Sequence, residues 1–201
     1  MGGALFALVL VLAALSSGCA QPPLPEDHFY RLIVDKPQTA RGAPLLKGAL
    51  EVERFAADGL VASRPIVYSR AGSPREVLEY HYHFWTEPPT RMLGDQLVEY
   101  LRAAGVAETV VTPEIRVQAD YEIAAKIKRL EMIVGTPPRA AVELELGLRK
   151  TASDKLLFLG VYGVESPTRS DTVAAAVEAI NKVLGQIYAR FVADISNIPG
   201  I

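Results

Sequence analysis

Residues 76–105, which read EVLEYHYHFWTEPPTRMLGDQLVEYLRAAG, decide the fold, because their hydrophobic pattern changes at a pair of prolines. Before the prolines, apolar and polar residues alternate with period two, which is typical of a strand. One face would carry Leu78, Tyr80, Tyr82 and Phe84, and the other Glu79, His81, His83 and Trp85. After the prolines, Leu93, Leu97 and Leu101 recur at every fourth position, which predicts an amphipathic helix. The segment is therefore predicted to be a strand that leads directly into a helix.

Both ends of this helix carry the expected signals. Thr86 is the predicted cap, Pro88 or Pro89 the first-turn proline, and Gly105 the stop. A second amphipathic helix near the end of the chain is predicted to begin at Ser170 or Asp171. Its apolar residues keep helical spacing: Val177, Ile180, Leu184, Ile187, Phe191 and Ile195.

Period-two alternation predicts further strands around these helices. It runs through Tyr30, Leu32 and Val34, then Leu50 and Val52, and later Val142, Leu144, Leu146 and Leu148. Tyr121–Val134 also alternates, but its phase slips near residues 129–130, which predicts a bulge or a strand exit. Residues 151–154 predict the turn of a hairpin. Residues 28–201 are thus predicted to form one α+β domain, with a mixed, largely antiparallel β-sheet and two amphipathic helices packed on one face as a two-layer sandwich.

The chain starts with an apolar run that is too short to cross a membrane. Residues 4–15 would span about 18 Å as a helix, against a bilayer core of about 30 Å. Small residues follow, ending in Gly18 and Cys19, the only cysteine of the 201 residues. This stretch resembles a bacterial lipoprotein signal, which implies that residues 1–18 are cleaved off between Gly18 and Cys19 and that Cys19 is lipidated. An ordinary secretory signal with a chance cysteine, or a buried free thiol, remains the alternative.

Residues 19–27 are predicted to be a tether. Pro22, Pro23 and Pro25 favour an extended polyproline II conformation, at about 3.1 Å per residue, which would hold the domain roughly 30 Å from the membrane. Ala20 resembles an outer-membrane address, because in lipoproteins of this kind an aspartate there favours retention in the inner membrane. The expected location is therefore the outer membrane, with the domain facing the periplasm.

Few residues suggest chemistry. One cysteine excludes an internal disulfide and any multi-cysteine metal site, and a formal charge of −2 argues against nucleic-acid binding. The sequence has no phosphate loop, dinucleotide fingerprint or nucleophile elbow. His81 and His83 would project the same way, about 6.6 Å apart, and could hold a metal, although two exposed histidines are the simpler interpretation. Glu143 and Glu145 are typical of a solvated strand face. No cofactor and no metal are expected.

The aromatic segment at residues 80–85 is the remaining candidate site. Tyr82, Trp85 and Pro88 are candidate docking residues, because tryptophan and tyrosine dominate interface energies. The alternative is a core strand that feeds the helix.

The order of these features resembles the ABC-type transport auxiliary lipoproteins, the Pqi-type component of MCE lipid transport systems. The resemblance covers residues 28–195 and depends on the lipoprotein signal, the proline tether and the Tyr80-x-Tyr82-x-Phe84-Trp85-x-x-Pro88-Pro89 strand-to-helix motif. It implies a non-enzymatic subunit that works with an MCE-domain protein, a permease and an ATPase. It also implies an N-terminal membrane anchor and permits homo-oligomers.

The expected function is to dock the MCE assembly at the outer membrane while the transporter moves phospholipids or other hydrophobic molecules. Two alternatives stay open. One is a lipid-binding carrier with an acyl chain in a groove between sheet and helices, and the other is an assembly or pilot lipoprotein of a different outer-membrane machine.

Overall fold

The computed structural model describes residues 25–200, in which five strands, a helix, four strands and a second helix follow one another. Gly18, Cys19 and most of the predicted tether lie outside this range. The strands are β1 (His28–Tyr30), β2 (Leu46–Val52), β3 (Ala56–Ala57), β4 (Pro65–Arg70), β5 (Ser73–Trp85), β6 (Ala107–Val111), β7 (Tyr121–Val134), β8 (Arg139–Lys150) and β9 (Lys155–Pro167). The helices are α1 (Pro89–Ala104) and α2 (Val173–Ser196).

Strand β7 is the centre of the sheet. One of its edges pairs with β8 in antiparallel fashion along almost its whole length, and β8 pairs in the same way with β9. The other edge of β7 is shared by three short parallel partners, β2, β3 and β4. Beyond them, β4 pairs antiparallel with β5, β5 parallel with β1, and β2 parallel with β6. The long antiparallel interfaces dominate, so the predicted mixed, largely antiparallel sheet is confirmed.

Both helices cover one face of this sheet, as predicted. Helix α2 lies over β8 and β9, and α1 lies over β2 and β6. Under α2, the inward residues of β8 are at most 1% exposed: Val142, Leu144, Leu146 and Leu148. The helices also contact each other, since the Tyr188 hydroxyl of α2 donates to the Leu93 carbonyl oxygen of α1 at 2.9 Å. The two-layer α+β arrangement is confirmed.

The predicted irregularity in β7 is present, because its register with β8 shifts between Ile127 and Arg129. The predicted hairpin turn is also present. A short 3-10 turn at Thr151–Ser153 ends at Asp154, whose φ of 50° lies in the left-handed region.

The predicted helix caps are only partly right. Helix α2 is capped by Thr172, whose Oγ1 accepts from the Ala175 N–H at 3.3 Å, rather than by Ser170 or Asp171. Helix α1 has no side-chain cap, since Pro88 occupies the cap position and Pro89 starts the helix, so Thr86 is not its cap. Gly105 ends α1 with a φ of 63°, as predicted. Neighbouring residues of the cap-forming type are distinguished only by which of them has an extended backbone. The sequence pattern does not show which residue that is.

The first strand is shorter than the alternation suggested. Only His28–Tyr30 pairs with the sheet, although Leu32 and Val34 are buried at 5% and 2% exposure. Beyond β1, side chains of the two helices replace the strand partner. The Ile33 N–H donates to Asn181 Oδ1 at 2.9 Å and the Val34 N–H donates to Gln96 Oε1 at 2.7 Å. Neither helix in the described residues combines the length and the apolarity that a membrane span requires.

Candidate docking surface

The three predicted docking residues lie in different environments. Tyr82 is 42% exposed and Pro88 is exposed, so both are accessible to a partner. Trp85 is only 2% exposed and is among the largest fully buried side chains of the core. Its indole is therefore not accessible at a surface, and for Trp85 the structure agrees with the core-strand alternative.

Strand β5 does not keep one continuous alternation. Its register with β4 jumps from Phe84 opposite Pro65 to Glu79 opposite Val67, so residues 80–83 form an irregular segment. As a result, the rings of Tyr80 and His83 meet edge-on at 5.3 Å, although an even strand would place them on opposite faces. The predicted single face of Leu78, Tyr80, Tyr82 and Phe84 is wrong for this reason.

The histidines form a different pair from the one predicted. His83 stacks on His28 of β1, with ring centroids 5.0 Å apart and planes 16° from parallel. The Tyr30 hydroxyl lies 2.9 Å from His83 Nδ1. Burial lowers the pKa of His83, and the nearby His28 lowers it further. His81 is exposed beside Tyr82 and does not join them. Within residues 25–200, no group of three or more potential ligands is placed to hold a metal ion.

Strand β9 carries an uncovered apolar stripe. Leu156, Leu159 and Val161 are 55%, 57% and 54% exposed on the sheet face opposite the helices. Among the described strands, β9 pairs only with β8, so its second edge is open. Long exposed edges with apolar side chains are rare in monomers and mark interaction sites. The sequence contained a signal for this stripe, because LLFLGVYGV lacks the charged residues that alternate through β8.

A groove runs beside this stripe. Its volume is about 300 Å³, and small residues form part of its lining: Ala56, Ala124 and Gly147. Leu156 and Leu159 form one wall. A Cβ added at Gly147 would lie 3.5 Å from Leu159 Cδ1, so larger residues there would occupy the groove.

The rim of the groove is charged. Arg149 forms ion pairs with Glu122, Asp154 and Glu53. Burial raises the pKa of Glu53, Glu122 raises it further, and Arg149 opposes both. The rim is therefore a satisfied ion-pair network around an apolar groove.

A second charged cluster, at Arg129, ties β7 to β9. Arg129 Nη2 lies 2.6 Å from Glu131 Oε1, and Arg129 Nη1 lies 2.6 Å from Glu165 Oε1. Glu131 is 6% exposed and also accepts from the Ser69 hydroxyl at 3.1 Å. These partners satisfy the buried carboxylate, so the cluster has a structural role.

The opposite edge of the sheet is also apolar. Phe29 of β1 is 55% exposed and Val77 of β5 is 41% exposed. Phe29 stacks on Phe84 with centroids 5.7 Å apart, and the Arg64 guanidinium lies 5.6 Å from the Phe29 ring centroid. In the strand order β1-β5-β4-β7-β8-β9, the two apolar edges are therefore at opposite ends.

This arrangement defines a sheet-and-helix scaffold with two exposed apolar edges. The chain belongs to the family of ABC-type transport auxiliary lipoprotein components, whose model matches residues 30–192. The resemblance inferred from the sequence is confirmed.

Solved structures share the fold. A protein from Xanthomonas campestris, assigned to a family of unknown function, is 25% identical over 82% of this chain and 92% of its own, with a TM-score of 0.69. A second structure, described only as an uncharacterized protein, is 16% identical over 85% of this chain and 99% of its own, with a TM-score of 0.67. None of the curated proteins matches the chain.

Proposed function

We propose that this chain is the non-enzymatic lipoprotein subunit of an ABC/MCE-type transporter that moves phospholipids or other hydrophobic molecules across the bacterial envelope. The family match over residues 30–192 carries the proposal, because this family consists of auxiliary components of ABC transport systems. The sequence contains no phosphate loop, which agrees with ATP hydrolysis by a separate ATPase subunit.

The proposed subunit is anchored through Cys19. Cleavage after Gly18 would leave Cys19 as the first residue, and its acyl chains would hold the protein at the outer membrane, facing the periplasm. More than one chain is needed for stable anchoring, and a lipidated N-terminal cysteine of this type carries three. Cys19→Ser should abolish incorporation of labelled palmitate, and incorporation that survives the change would contradict the anchor.

The proposed partners are an MCE-domain protein, the permease and the ATPase. Docking would use the exposed residues of the strand-to-helix junction, Tyr82 and Pro88.

The apolar edges suit a second copy of the chain. The β9 edge of one protomer would meet the β1–β5 edge of the next, a head-to-tail contact that closes into a ring when the rotation allows it.

The partners can be identified by crosslinking in intact envelopes, followed by affinity purification and mass spectrometry. We expect an MCE protein and the permease among the crosslinked products. Tyr82→Ala should reduce the MCE crosslink, whereas His81→Ala, at the neighbouring exposed position, should not. Recovery of another outer-membrane machine without any MCE protein would instead favour the pilot-lipoprotein alternative.

A lipid-carrier role is the second candidate, because the groove beside β9 has apolar walls and a volume of about 300 Å³. It lies on the open sheet face, not between sheet and helices. Delipidated protein should then bind a fluorescent fatty acid with one-to-one stoichiometry. Gly147→Leu should block binding by filling the groove, and Gly163→Leu, on the same sheet face outside it, should not. Equal binding by both variants would contradict the carrier role.

A further inference from the structure

Strand β1 is held on the sheet by an unusually small contact. Its three residues pair with β5, placing His28 opposite His83, Phe29 opposite Phe84 and Tyr30 opposite Trp85. On one side of this pairing, the two imidazoles stack at 5.0 Å. Because β1 comes directly after residues 25–27, this contact decides where the preceding chain leaves the fold.

The side chains that face His83, apart from His28, are tyrosines. From β1, Tyr30 places its hydroxyl on His83, and from β5, Tyr80 places its ring edge-on against it. From β4, Tyr68 packs behind Tyr80 with centroids 4.5 Å apart. Asp171 raises the pKa of Tyr80, but no carboxylate within residues 25–200 offsets the lowering of the His83 pKa by burial and by His28.

The Tyr30 contact tolerates both charge states, because a hydroxyl can either donate to Nδ1 or accept from a protonated Nδ1. For the stacked histidine pair, the neutral and the charged states differ in energy. Two imidazolium rings with centroids 5.0 Å apart would repel each other. Because the pKa of His83 is lowered in the docked state, docking favours the neutral ring and weakens as the pH falls through the ordinary histidine range.

We propose that His28 and His83 form an acid-sensitive clasp, which holds β1 on the sheet near neutral pH and releases it as the pH falls below about 6.5. Release stops at a defined place. Leu32 and Val34 are buried, and the N–H groups of Ile33 and Val34 are bound by Asn181 and Gln96. Detachment therefore frees residues 28–31 and lengthens the segment before the domain by roughly 13 Å.

Hydrogen–deuterium exchange of the full mature chain in detergent tests this clasp. Exchange rates are measured at pH 7.5 and 5.5 and corrected for their intrinsic pH dependence. The protection factors of the amides of residues 29–31 should fall about tenfold at the lower pH. The amides of β8 should keep theirs.

Two variants separate the clasp from general acid effects. His28→Phe keeps a stacked ring but removes the charge repulsion and leaves only the burial of His83, so β1 should lose clearly less protection at pH 5.5 than in the natural protein. His81→Gln removes an exposed histidine of the same strand and should behave like the natural protein. Unchanged β1 protection in the natural protein, an equal loss in His28→Phe, or a parallel loss in β8 would each overturn the proposal. The β8 amides also report whether each variant folds.

Discussion

Strands β8 and β9 form one hairpin, but they differ in the polarity of the side chains on the open sheet face. In β8, inward leucines are at most 1% exposed, and Glu143 and Glu145 point to the open face. In β9, Tyr162 and Phe158 face helix α2, while Leu159 and Val161 are more than half exposed on the open face. Strands that face water usually carry polar residues on the outer face, so the exposed apolar pattern of β9 is typical of an interaction surface.

The largest effect should come from the inward side of β8. Leu146→Ala should lower the free energy of unfolding by about 2–5 kcal/mol, because Leu146 is fully buried and the truncation leaves a cavity. The matched change Leu159→Ala should alter it by less than about 0.5 kcal/mol, since Leu159 is 57% exposed. Urea unfolding measures both. Equal losses would show that the β9 stripe belongs to the core of the folded monomer.

The second effect concerns association. Leu159→Glu should weaken self-association by about 2 kcal/mol, or roughly 30-fold, because it places a charge in the centre of the stripe. Ile115→Glu is a matched control, since Ile115 is 58% exposed but lies away from β9. Sedimentation velocity over a concentration series measures the difference. If both variants associate like the natural chain, the stripe is not an interface.

The smallest expected change in folding stability concerns the side of β9 that faces helix α2. Tyr162 donates its hydroxyl to Asp194 Oδ2 of α2 at 2.6 Å. Tyr162→Phe should cost about 1.5 kcal/mol of folding stability, as expected for a hydrogen bond to a charged group. Tyr82→Phe, which removes an exposed hydroxyl, should cost much less. A larger loss in Tyr82→Phe than in Tyr162→Phe would mean that the hydrogen bond between Tyr162 and Asp194 contributes little to folding stability.

The sequence predicted helices and strands best where a long periodic run of apolar residues forms one buried face. Strand β8 and both helices follow their hydrophobic periods closely, because each buries one continuous face. It predicted poorly where backbone irregularity changes the phase. At residues 80–83 of β5 the register shift moves Tyr80 and His83 to one side, which no period-two pattern contains.

The candidate site was predictable only in part. Tyr82 and Pro88 are exposed as a docking role requires, but Trp85 is buried because the strand-to-helix motif turns it into the core. The β9 stripe was visible as an apolar run, yet the same run would suit a strand buried on both faces. The two cases differ only in what covers the outer face, and that depends on residues far away in the chain.

Local motifs and periodicity are enough to assign the family and the α+β class, and to identify a single cysteine beside a lipoprotein-like signal. The three-dimensional fold was needed to show that β7 is the centre of the sheet, that His28 stacks on His83, and that apolar edges lie at both ends of the strand order β1-β5-β4-β7-β8-β9. Pairings between distant strands are set by the packing of the whole chain, so no segment contains them alone.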